Sequence, residues 1–315
     1  MVNYIASSSF VNANIRTIDK RKYNHAVFNG LRCLYCKKPL TILYTSSTGK
    51  VLTCSCFRYP YVDGILYLKR DSAASAAVKL IKQGEEDKIL MTLIRPRFLL
   101  SIPIWLFLIK SIHIHFNYFL LLLRCFSYDW KWARYLTKRE TDTSFILSMF
   151  CSKFIKSGDK VLDIGCGIGQ LLPYYSTQTK AVYAIDNSPL SLLIARRFFA
   201  DKKTILICSD IERGLPFRDG YLTITITTDV FQYLRRKFAS LREVSRVLYN
   251  KGQLFIIHAI SGKGVVYGNA HAIKTKSVDT MLKKLKFNTI TIFPNSHDSF
   301  SVFAAKNNHT KNVWL

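Results

Sequence analysis

The 315 residues suffice for one domain with a sizeable core and a smaller module, and a content of 49% hydrophobic and 21% charged residues excludes a disordered chain. Lys and Arg number 46 against 20 Asp and Glu, so the net charge is +26. Such an excess attracts RNA, anionic lipid or an anionic small substrate, but a Lys-rich genome produces it too, and both interpretations stay open. The densest positive groups are Lys20-Arg21-Lys22, Arg235-Arg236-Lys237 and the set Lys283, Lys284 and Lys286.

Residues 1–30 are polar and without a hydrophobic period, and they are predicted to be a tail, as are residues 307–315. The N-terminus has no apolar core of signal-peptide length behind a basic start. Four cysteines are scattered singly, at Cys125, Cys151, Cys166 and Cys208. Scattered cysteines without a secretion signal are typical of a reducing compartment, so a cytoplasmic location is expected.

Residues 31–70, here named the Cys module, hold four clustered cysteines and end in a short apolar strand pattern, Gly64–Leu68. The cysteines are Cys33, Cys36, Cys54 and Cys56. The first pair forms a Cys-x-x-Cys knuckle of the type that opens zinc ribbons, and four thiolates can bind a structural zinc ion tetrahedrally. The Cys-x-Cys spacing of the second pair is tight, and a small β module that has lost its metal and buries its thiols is the alternative.

Residues 71–144 are predicted to be a helical connector. Apolar residues recur at helical spacing over 71–97, and two strongly apolar runs follow within residues 98–123. Neither run reaches about 20 apolar residues, the length of a membrane-spanning helix, and joining them would place Lys110 near the bilayer centre. Buried helices packed on the following domain are favoured over a helix lying in a membrane surface, which would make the protein membrane-associated.

Residues 145–306 alternate strand-like and helical runs, which predicts an α/β fold with a doubly wound, mostly parallel sheet. The predicted strands are Lys160–Ile164, Ala181–Ile185, Thr204–Cys208, Leu222–Thr227 and Gln253–His258. The predicted helices are Ser188–Ala200, Phe238–Leu248 and Val278–Leu285. A hairpin of Thr289–Phe293 and Ser299–Ala304 would close the sheet with an antiparallel strand.

The most specific motif follows the first of these strands. Asp163 precedes three alternating glycines, Gly165, Gly167 and Gly169, with Cys166 between the first two. In a doubly wound sheet, ligands bind where strands end and helices begin, and glycines let a ligand approach the backbone. Asp163 is placed to face the amino group of a zwitterionic ligand. The turn reads Gly-x-Gly-x-Gly, not the Gly-x-Gly-x-x-Gly dinucleotide fingerprint, which favours S-adenosylmethionine over a nicotinamide cofactor.

Two further acids follow the next two strands. Asp186, which leads into Asn187 and Ser188, can accept hydrogen bonds from both ribose hydroxyls of a nucleoside. Asp210 ends the third strand, where it can accept from the exocyclic amine of an adenine packed on Ile211. A helix N-cap or a solvated loop residue is the alternative for each acid taken alone. Three acids at successive strand ends together predict a cofactor site. Besides Asp163 and the glycine turn with Cys166, its predicted residues are Asp186, Asn187, Ser188, Asp210 and Ile211.

Residues 160–257 resemble the class I S-adenosylmethionine-dependent methyltransferases of the type 11 group. The shared motifs are Leu162–Gly169, Asp186–Arg196, Asp210–Tyr221 and Glu243–Leu254. Two departures, Tyr221-Leu222 for Phe-Asp and Lys251-Gly252 for Gly-Gly, lie away from the expected cofactor contacts. The resemblance implies methyl transfer and a seven-stranded sheet with a terminal antiparallel strand.

The Cys module resembles the small zinc-ribbon-like activator proteins of methyltransferases. The likeness lies in Tyr59-Pro60 and Gly64-Ile65, while Leu66 stands where those proteins have a proline. Residues 54–97 and 126–258 are also similar to a group of bacterial fusions of such a module with a methyltransferase domain. The resemblance implies a zinc-ribbon-like fold for the module.

Acceptor contacts are expected from residues 228–233, after the fourth strand. Asp229 is the candidate base or orienting group and is also expected to contact the cofactor, with Tyr233 and His258 behind it. Methyl transfer from a sulfonium is an in-line displacement and needs a base only when the nucleophile loses a proton. The alternatives are that Asp229 caps the helix that begins there and that His258 simply ends the fifth strand.

Three functions remain open from the sequence. Methylation of a small molecule, such as a metabolite, sugar or lipid-linked precursor, is favoured by the fusion resemblance and by residues 98–123. RNA methylation is supported by the positive charge and the Cys module. A non-catalytic binding module that keeps the fold is opposed by the intact glycines and acids. No Asn/Asp-Pro-Pro-Tyr motif or Pro-Cys nucleophile follows the strands, so the sequence does not name the acceptor.

Overall fold

The computed structural model describes residues 28–94, 142–177, 179–261, 270–296 and 298–306. The strands are β1 (Thr41–Thr45), β2 (Lys50–Thr53), β3 (Arg58–Val62), β4 (Ile65–Tyr67), β5 (Lys160–Ile164), β6 (Ala181–Asp186), β7 (Thr204–Cys208), β8 (Leu222–Thr228), β9 (Leu248–Ile260), β10 (Thr289–Ser296) and β11 (Ser299–Ala305). The helices are α1 (Ser72–Gln83), α2 (Glu86–Ile94), α3 (Thr143–Cys151), α4 (Leu172–Ser176), α5 (Pro189–Phe198), α6 (Lys237–Val247) and α7 (Thr275–Lys284). Short 3-10 turns cover Ser152–Phe154, Ile211–Arg213 and Phe231–Tyr233.

Within the described residues, eleven strands form one sheet in the order β1-β2-β3-β4-β7-β6-β5-β8-β9-β11-β10. The six strands from β4 to β9 are mutually parallel where they pair, and antiparallel strands lie on both sides of them. The predicted α/β fold with a mostly parallel sheet is therefore confirmed, including the terminal hairpin of β10 and β11. The carboxyl ends of the parallel strands share one edge of the sheet, where ligands bind in open α/β folds.

The expected count of seven strands is wrong for the sheet as a whole. Seven strands do lie between Lys160 and Ala305, but the Cys module adds four more. The junction is a parallel ladder in which Ile65 pairs with Leu206 and Tyr67 with Cys208. A three-residue strand that is buried along its whole length cannot leave its backbone groups unpaired, which is the physical reason for the continuation.

Helices cover both faces of the sheet. In β5, Val161 joins one hydrophobic cluster and Leu162 the other, because successive side chains of a strand point to opposite faces. Helices α1, α2, α3 and α5 contribute to the first cluster, and α6 and α7 to the second. The central strands are apolar throughout; β7, for example, is buried at all five positions, as expected for a strand covered on both faces.

Local sequence signals set the helix ends. The Asp71 side chain accepts a hydrogen bond from the Ala74 amide at 2.8 Å and caps α1, which ends at Gly84 with φ at 81°. Ser188 caps α5 in the same way, through the Ser191 amide at 3.1 Å, and Pro189 occupies the first turn. Helix α3 and the short helix α4 were not expected from the sequence pattern.

Several predictions fall on residues that the structure does not describe. The predicted apolar segment 98–123, the C-terminal tail, nearly all of the N-terminal tail and the positive group Lys20-Arg21-Lys22 lie outside the described ranges. Among the residues that are described, no helix has the length and apolar character needed to cross a membrane.

A substitution in β4 tests the continuity of the sheet. Leu66→Ala is expected to lower the free energy of unfolding of the full chain by about 3 kcal/mol, because Leu66 is 0% exposed and its removal leaves a cavity. Leu43→Ala in β1 is the control, since Leu43 is 52% exposed and should change little. Urea unfolding followed by circular dichroism measures both. A Leu66→Ala protein as stable as the wild type would contradict a shared core.

Candidate cofactor and acceptor site

The glycine turn follows β5 at the carboxyl edge of the sheet. Gly165, Gly167 and Gly169 have φ values of 71°, 54° and 80°, a left-handed conformation that side chains with a Cβ rarely adopt. The Gly165 and Cys166 amides donate to the Ile185 carbonyl at 2.7 and 3.1 Å. The turn is therefore tied to the end of the neighbouring strand β6, as a preformed backbone cradle requires.

The first glycine is also needed for space. A Cβ built on Gly165 would lie 2.3 Å from the Cγ2 atom of Val230, which follows β8. At Gly169 a Cβ would lie 2.7 Å from the Ala195 Cβ on α5. These close approaches bring the turn against both the acceptor-side segment and the helix that follows Asp186.

Asp186, at the end of β6, connects the glycine turn to the segment that starts α5. Its Oδ2 accepts from the Gly167 amide at 3.0 Å and its Oδ1 from the Ser188 amide at 2.8 Å. Burial raises the pKa of Asp186 above its ordinary value, against the two backbone donors. Each carboxylate oxygen carries a second lone pair, so both can still accept from the two hydroxyls of a ribose. The predicted residues Asp186, Asn187 and Ser188 are thus next to the glycine turn.

Asp210 lies one strand further along, after β7. Its Oδ1 accepts from the Glu212 amide at 3.0 Å and caps the 3-10 turn Ile211–Arg213, so the capping alternative holds for this acid. Its Oδ2 makes an exposed ion pair with Arg213 at 3.4 Å. Ile211 is half-buried and lines a small apolar cavity together with Phe231. The geometry is compatible with an adenine that packs on Ile211 beside the carboxylate.

Asp163 is the most deeply buried of the three predicted acids, with 2% of its surface exposed. It lies within β5, where it pairs with Ala184 on one side and Ile226 on the other. The three acids therefore lie at the ends of three adjacent strands, Asp163 within β5, Asp186 at the end of β6 and Asp210 two residues after β7, and the glycine turn follows β5.

Asp229 and His258 form a hydrogen-bonded pair beside this cradle. The Oδ1 of Asp229 lies 2.5 Å from the Nδ1 of His258. Both residues have φ near 58°, 57° for Asp229 and 58° for His258, in the left-handed region that non-glycine residues rarely adopt. Strain of this kind persists only where the surroundings fix it and is concentrated at functional sites. Both residues were predicted from the sequence as candidate catalytic residues, and in the structure they are in contact.

Neighbouring elements hold the pair in place. The Ser144 hydroxyl, at the start of α3, donates to the Oδ2 of Asp229 at 2.8 Å. The His258 amide donates to the Ser301 hydroxyl at 3.1 Å, and that hydroxyl donates to the Asn295 side chain at 3.0 Å. Sequence reasoning missed these three residues, because serine and asparagine far apart along the chain carry no pattern that links them to a site.

The contact with Asp229 changes the pKa of His258. The hydrogen bond and charge of Asp229 raise the pKa of His258, against the opposing effect of burial. Since Nδ1 is engaged by the carboxylate, Nε2 is the ring nitrogen through which His258 can exchange a proton with a ligand. A histidine oriented by a carboxylate is a recurrent arrangement for acid-base chemistry.

Two details of the acceptor side differ from expectation. Asp229 does not cap the turn Phe231–Tyr233, because that turn begins after Val230 without a side-chain cap. Tyr233 lies on the turn with half of its side chain exposed, at 50%, and its amide donates to the Val230 carbonyl. Of the three candidate catalytic residues, Asp229 and His258 make direct contact, whereas no hydrogen bond within the described part of the chain joins the Tyr233 side chain to either of them.

The four cysteines of the Cys module converge on one point. All four sulfur atoms lie within 4.8 Å of one another. The Sγ of Cys56 is 3.6 Å from that of Cys33 and 3.4 Å from that of Cys54. A zinc ion with four Zn–S bonds of about 2.3 Å places its sulfurs about 3.8 Å apart, so the arrangement fits tetrahedral coordination.

The thiols differ in acidity. A hydrogen bond with Ser55 lowers the pKa of Cys36 to about 6, whereas burial raises the pKa of Cys56 to about 12. The Tyr35 amide donates to the Cys33 sulfur at 3.4 Å, and Tyr59 contacts the same sulfur at 3.2 Å. Donors directed at sulfur are expected where thiolates bind a metal.

A mostly parallel sheet with a glycine turn after β5 and acids at the ends of adjacent strands is the arrangement that the resemblance to class I S-adenosylmethionine-dependent methyltransferases implies. Residues 162–256 match the family described as a methyltransferase domain. The predicted family resemblance is therefore confirmed for the central part of the chain.

Two curated methyltransferases are similar in sequence to about a third of the chain. A stretch of 108 residues is 33% identical to the ubiquinone/menaquinone biosynthesis C-methyltransferase UbiE of Chromobacterium violaceum, covering 33% of this chain and 44% of that protein. A stretch of 100 residues is 32% identical to the uncharacterized methyltransferase YodH of Bacillus subtilis, covering 31% and 42%. A solved S-adenosylmethionine-dependent methyltransferase from Aquifex aeolicus aligns at 22% identity with a TM-score of 0.43, over 54% of this chain and 96% of that one. The chain thus spans less than half the length of the two curated relatives.

Asp229→Asn is expected to lower the pKa of His258, because it removes the carboxylate charge that raises it. A histidine whose folded pKa is raised contributes stability that is fully present below the unfolded value of about 6.5 and is lost as pH rises through the folded pKa. The difference in free energy of unfolding between wild type and variant should therefore become smaller as pH rises from the unfolded value through the folded pKa of His258. NMR titration of the His258 ring and urea unfolding at several pH values measure both effects.

Asp279→Asn is the control for this substitution, since Asp279 forms a single exposed ion pair with Lys283 on α7. It should leave the titration of His258 unchanged. An unchanged His258 pKa in the Asp229→Asn protein would contradict the pairing.

Proposed function

We propose that the protein is an S-adenosylmethionine-dependent methyltransferase that acts on a small-molecule acceptor. The observation that carries the proposal is the set of three acids at the carboxyl ends of β5, β6 and β7, beside a left-handed glycine turn. The cofactor supplies an electrophilic methyl group on a sulfonium centre when bound. Asp163 would face its amino group, Asp186 its ribose hydroxyls, and Asp210 with Ile211 its adenine.

The acceptor side would lie around Asp229 and His258. Val230, next to Asp229, packs directly on the first glycine of the turn, which puts the pair beside the expected methionine end of the cofactor site. His258 would take the proton of an acceptor hydroxyl, amine or activated carbon through Nε2 while Asp229 stabilises the resulting imidazolium. Ser144 fixes the second carboxylate oxygen and so limits rotation of Asp229.

The small-molecule acceptor is preferred to RNA because part of the positive charge has a structural role. Lys237 is buried, and its Nζ donates to the Leu234 carbonyl at 2.8 Å. The Arg236 guanidinium donates to the Glu212 backbone carbonyl. The positive group Arg235-Arg236-Lys237 is thus partly committed to folding the 3-10 turn region. RNA remains the second candidate, supported by the net charge of +26.

Transfer of labelled methyl groups tests the proposal. The purified full chain is incubated with methyl-labelled S-adenosylmethionine and a cell extract, and incorporation is measured before and after ribonuclease treatment. We expect ribonuclease-resistant incorporation in the small-molecule fraction. Gly165→Ala should reduce cofactor binding and incorporation at least about tenfold, because the added Cβ meets Val230 in a backbone conformation unfavourable to alanine.

Gly158→Ala is the matched control, since a Cβ at Gly158 meets no atom within 4 Å. It should bind and transfer as the wild type does. Ribonuclease-sensitive label would replace the small-molecule acceptor with RNA. A folded wild-type protein that fails to bind S-adenosylmethionine would refute the enzymatic proposal and favour a non-catalytic binding module.

We also propose that the cysteine cluster of the Cys module binds one structural zinc ion. The convergence of four sulfurs within 4.8 Å of one another supports it, since zinc binds four cysteine sulfurs tetrahedrally. Elemental analysis of the purified full chain should give about one zinc per chain. Chelation should lower the melting temperature, and Cys36→Ser should do the same, because zinc binding is coupled to folding. A metal-free protein with an unchanged melting temperature would contradict this site.

A further inference from the structure

The Cys module reaches the cofactor edge of the sheet through β4. The Leu68 amide, directly after β4, donates to the Cys208 carbonyl at 2.9 Å and continues the parallel ladder to the last residue of β7. Because β4 and β7 run in the same direction, the residues after β4 emerge beside Asp210 and the turn after β6. The module therefore contributes its own strand end to the edge where the predicted acids lie.

Lys69 makes the contact with that turn. Its Nζ donates to the Asn187 carbonyl at 2.6 Å, across 118 positions of sequence. Asn187 directly follows Asp186, and the Cys208 thiol is directed at the same carbonyl at 3.7 Å. The ammonium group thus lies at the backbone that carries the predicted ribose-binding carboxylate.

The position of Lys69 is supported within its own segment. Its Nζ lies 5.8 Å from the centre of the Tyr67 ring, in a cation-π arrangement. The Tyr67 hydroxyl donates to the Oδ2 of Asp71 at 2.8 Å, and the Oδ1 of Asp71 caps α1 through the Ala74 amide. Lys69 therefore rests on an aromatic ring that is itself fixed to the start of a helix.

Lys69 also supplies a positive charge to a desolvated acid. Burial raises the pKa of Asp186, and the charge of Lys69 acts in the opposite direction. The cavity beside this turn is also lined by charged residues from both neighbouring segments, Arg70 and Asp71 after β4 and Asp210 and Arg213 after β7. Cys208 lies on β7, and Asp163 lies one strand away from the turn, on β5. Burial raises the pKa of Cys208 to about 12, so it is a neutral thiol at physiological pH. Lys69 is accordingly a cation whose charge favours the ionised form of Asp186.

We propose that Lys69 of the Cys module is a positioning residue of the cofactor site, which holds the Asp186–Asn187 turn by a hydrogen bond and places a positive charge near the Asp186 carboxylate that would accept from the ribose hydroxyls of the cofactor. The inference rests on the proposed function, because it presumes a nucleoside at Asp186. It gives the Cys module a direct part in cofactor affinity: a residue of the module acts on the turn through a hydrogen bond and a charge, without contact with the reacting methyl group.

Binding of S-adenosylhomocysteine to the full chain tests the inference. Isothermal titration calorimetry over a range of pH compares the wild type with Lys69→Met, Lys69→Gln and Lys69→Arg. Lys69→Met should weaken binding about tenfold at neutral pH, since a charge-assisted hydrogen bond to the turn is lost. Affinity falls as pH drops through the pKa of Asp186, and this fall should begin about one pH unit higher in Lys69→Met, because the stabilising cation is gone.

The other variants separate charge from hydrogen bonding. Lys69→Arg should retain the wild-type pH dependence, whereas Lys69→Gln, which keeps a donor without the charge, should show the shifted one. Lys79→Met is the control, an exposed lysine on α1 of the same region, and should bind as the wild type does. Melting temperatures are measured for all variants, and Lys69→Gln takes the place of Lys69→Met if the latter is unstable.

Three results would overturn the inference: unchanged affinity and pH dependence in Lys69→Met and Lys69→Gln, an equal loss in Lys79→Met, or a Lys69→Arg protein that behaves as Lys69→Met does. A wild-type protein that binds no S-adenosylhomocysteine would instead refute the proposed function itself. The two failures are therefore distinguishable.

Discussion

The site depends on the parallel alignment of six strands, β4, β7, β6, β5, β8 and β9, which brings their carboxyl ends to one edge of the sheet. The hydrogen bonds from the glycine turn to the Ile185 carbonyl secure this edge where β5 meets β6. Every predicted cofactor or acceptor residue lies in the last three residues of one of these strands or after it. An antiparallel neighbour at any of these places would send its end, and the chemistry it carries, to the opposite edge.

Burial of acidic groups at one edge of the sheet disfavours their ionised forms, and cations and hydrogen-bond donors from neighbouring segments offset this effect. Asp186 has Lys69 from the Cys module nearby, while Asp229 has His258 from β9 and a hydroxyl donor from α3. Carboxylates removed from water are stable as anions only when donors and cations replace the solvent. The Lys69 cation comes from a part of the chain that sequence reasoning assigns to a separate module, and the parallel pairing of β4 with β7 brings it to the turn after β6.

Strand-helix periodicity and the glycine motif were enough to predict the central sheet and the acids Asp163, Asp186 and Asp210, because each signal is local in sequence. The continuation of the sheet into the Cys module was missed, since β4 has three residues and its partner β7 lies about 140 positions away. The same limit applies to Ser144, Ser301 and Lys69, whose roles arise from contacts between distant segments. The sequence placed Asp229 and His258 near each other but did not predict their hydrogen bond. That bond depends on a left-handed backbone conformation at both residues, which their amino-acid types do not indicate.

Hydrogen-deuterium exchange of the full chain, with and without S-adenosylhomocysteine, tests the central claim most directly. The account predicts added protection at the carboxyl edge, in residues 163–170, 186–188 and 209–212, and none in the loops of the amino edge such as 156–160 and 200–203. Protection confined to the amino edge, or no change anywhere, would contradict a cofactor site at this edge of the sheet.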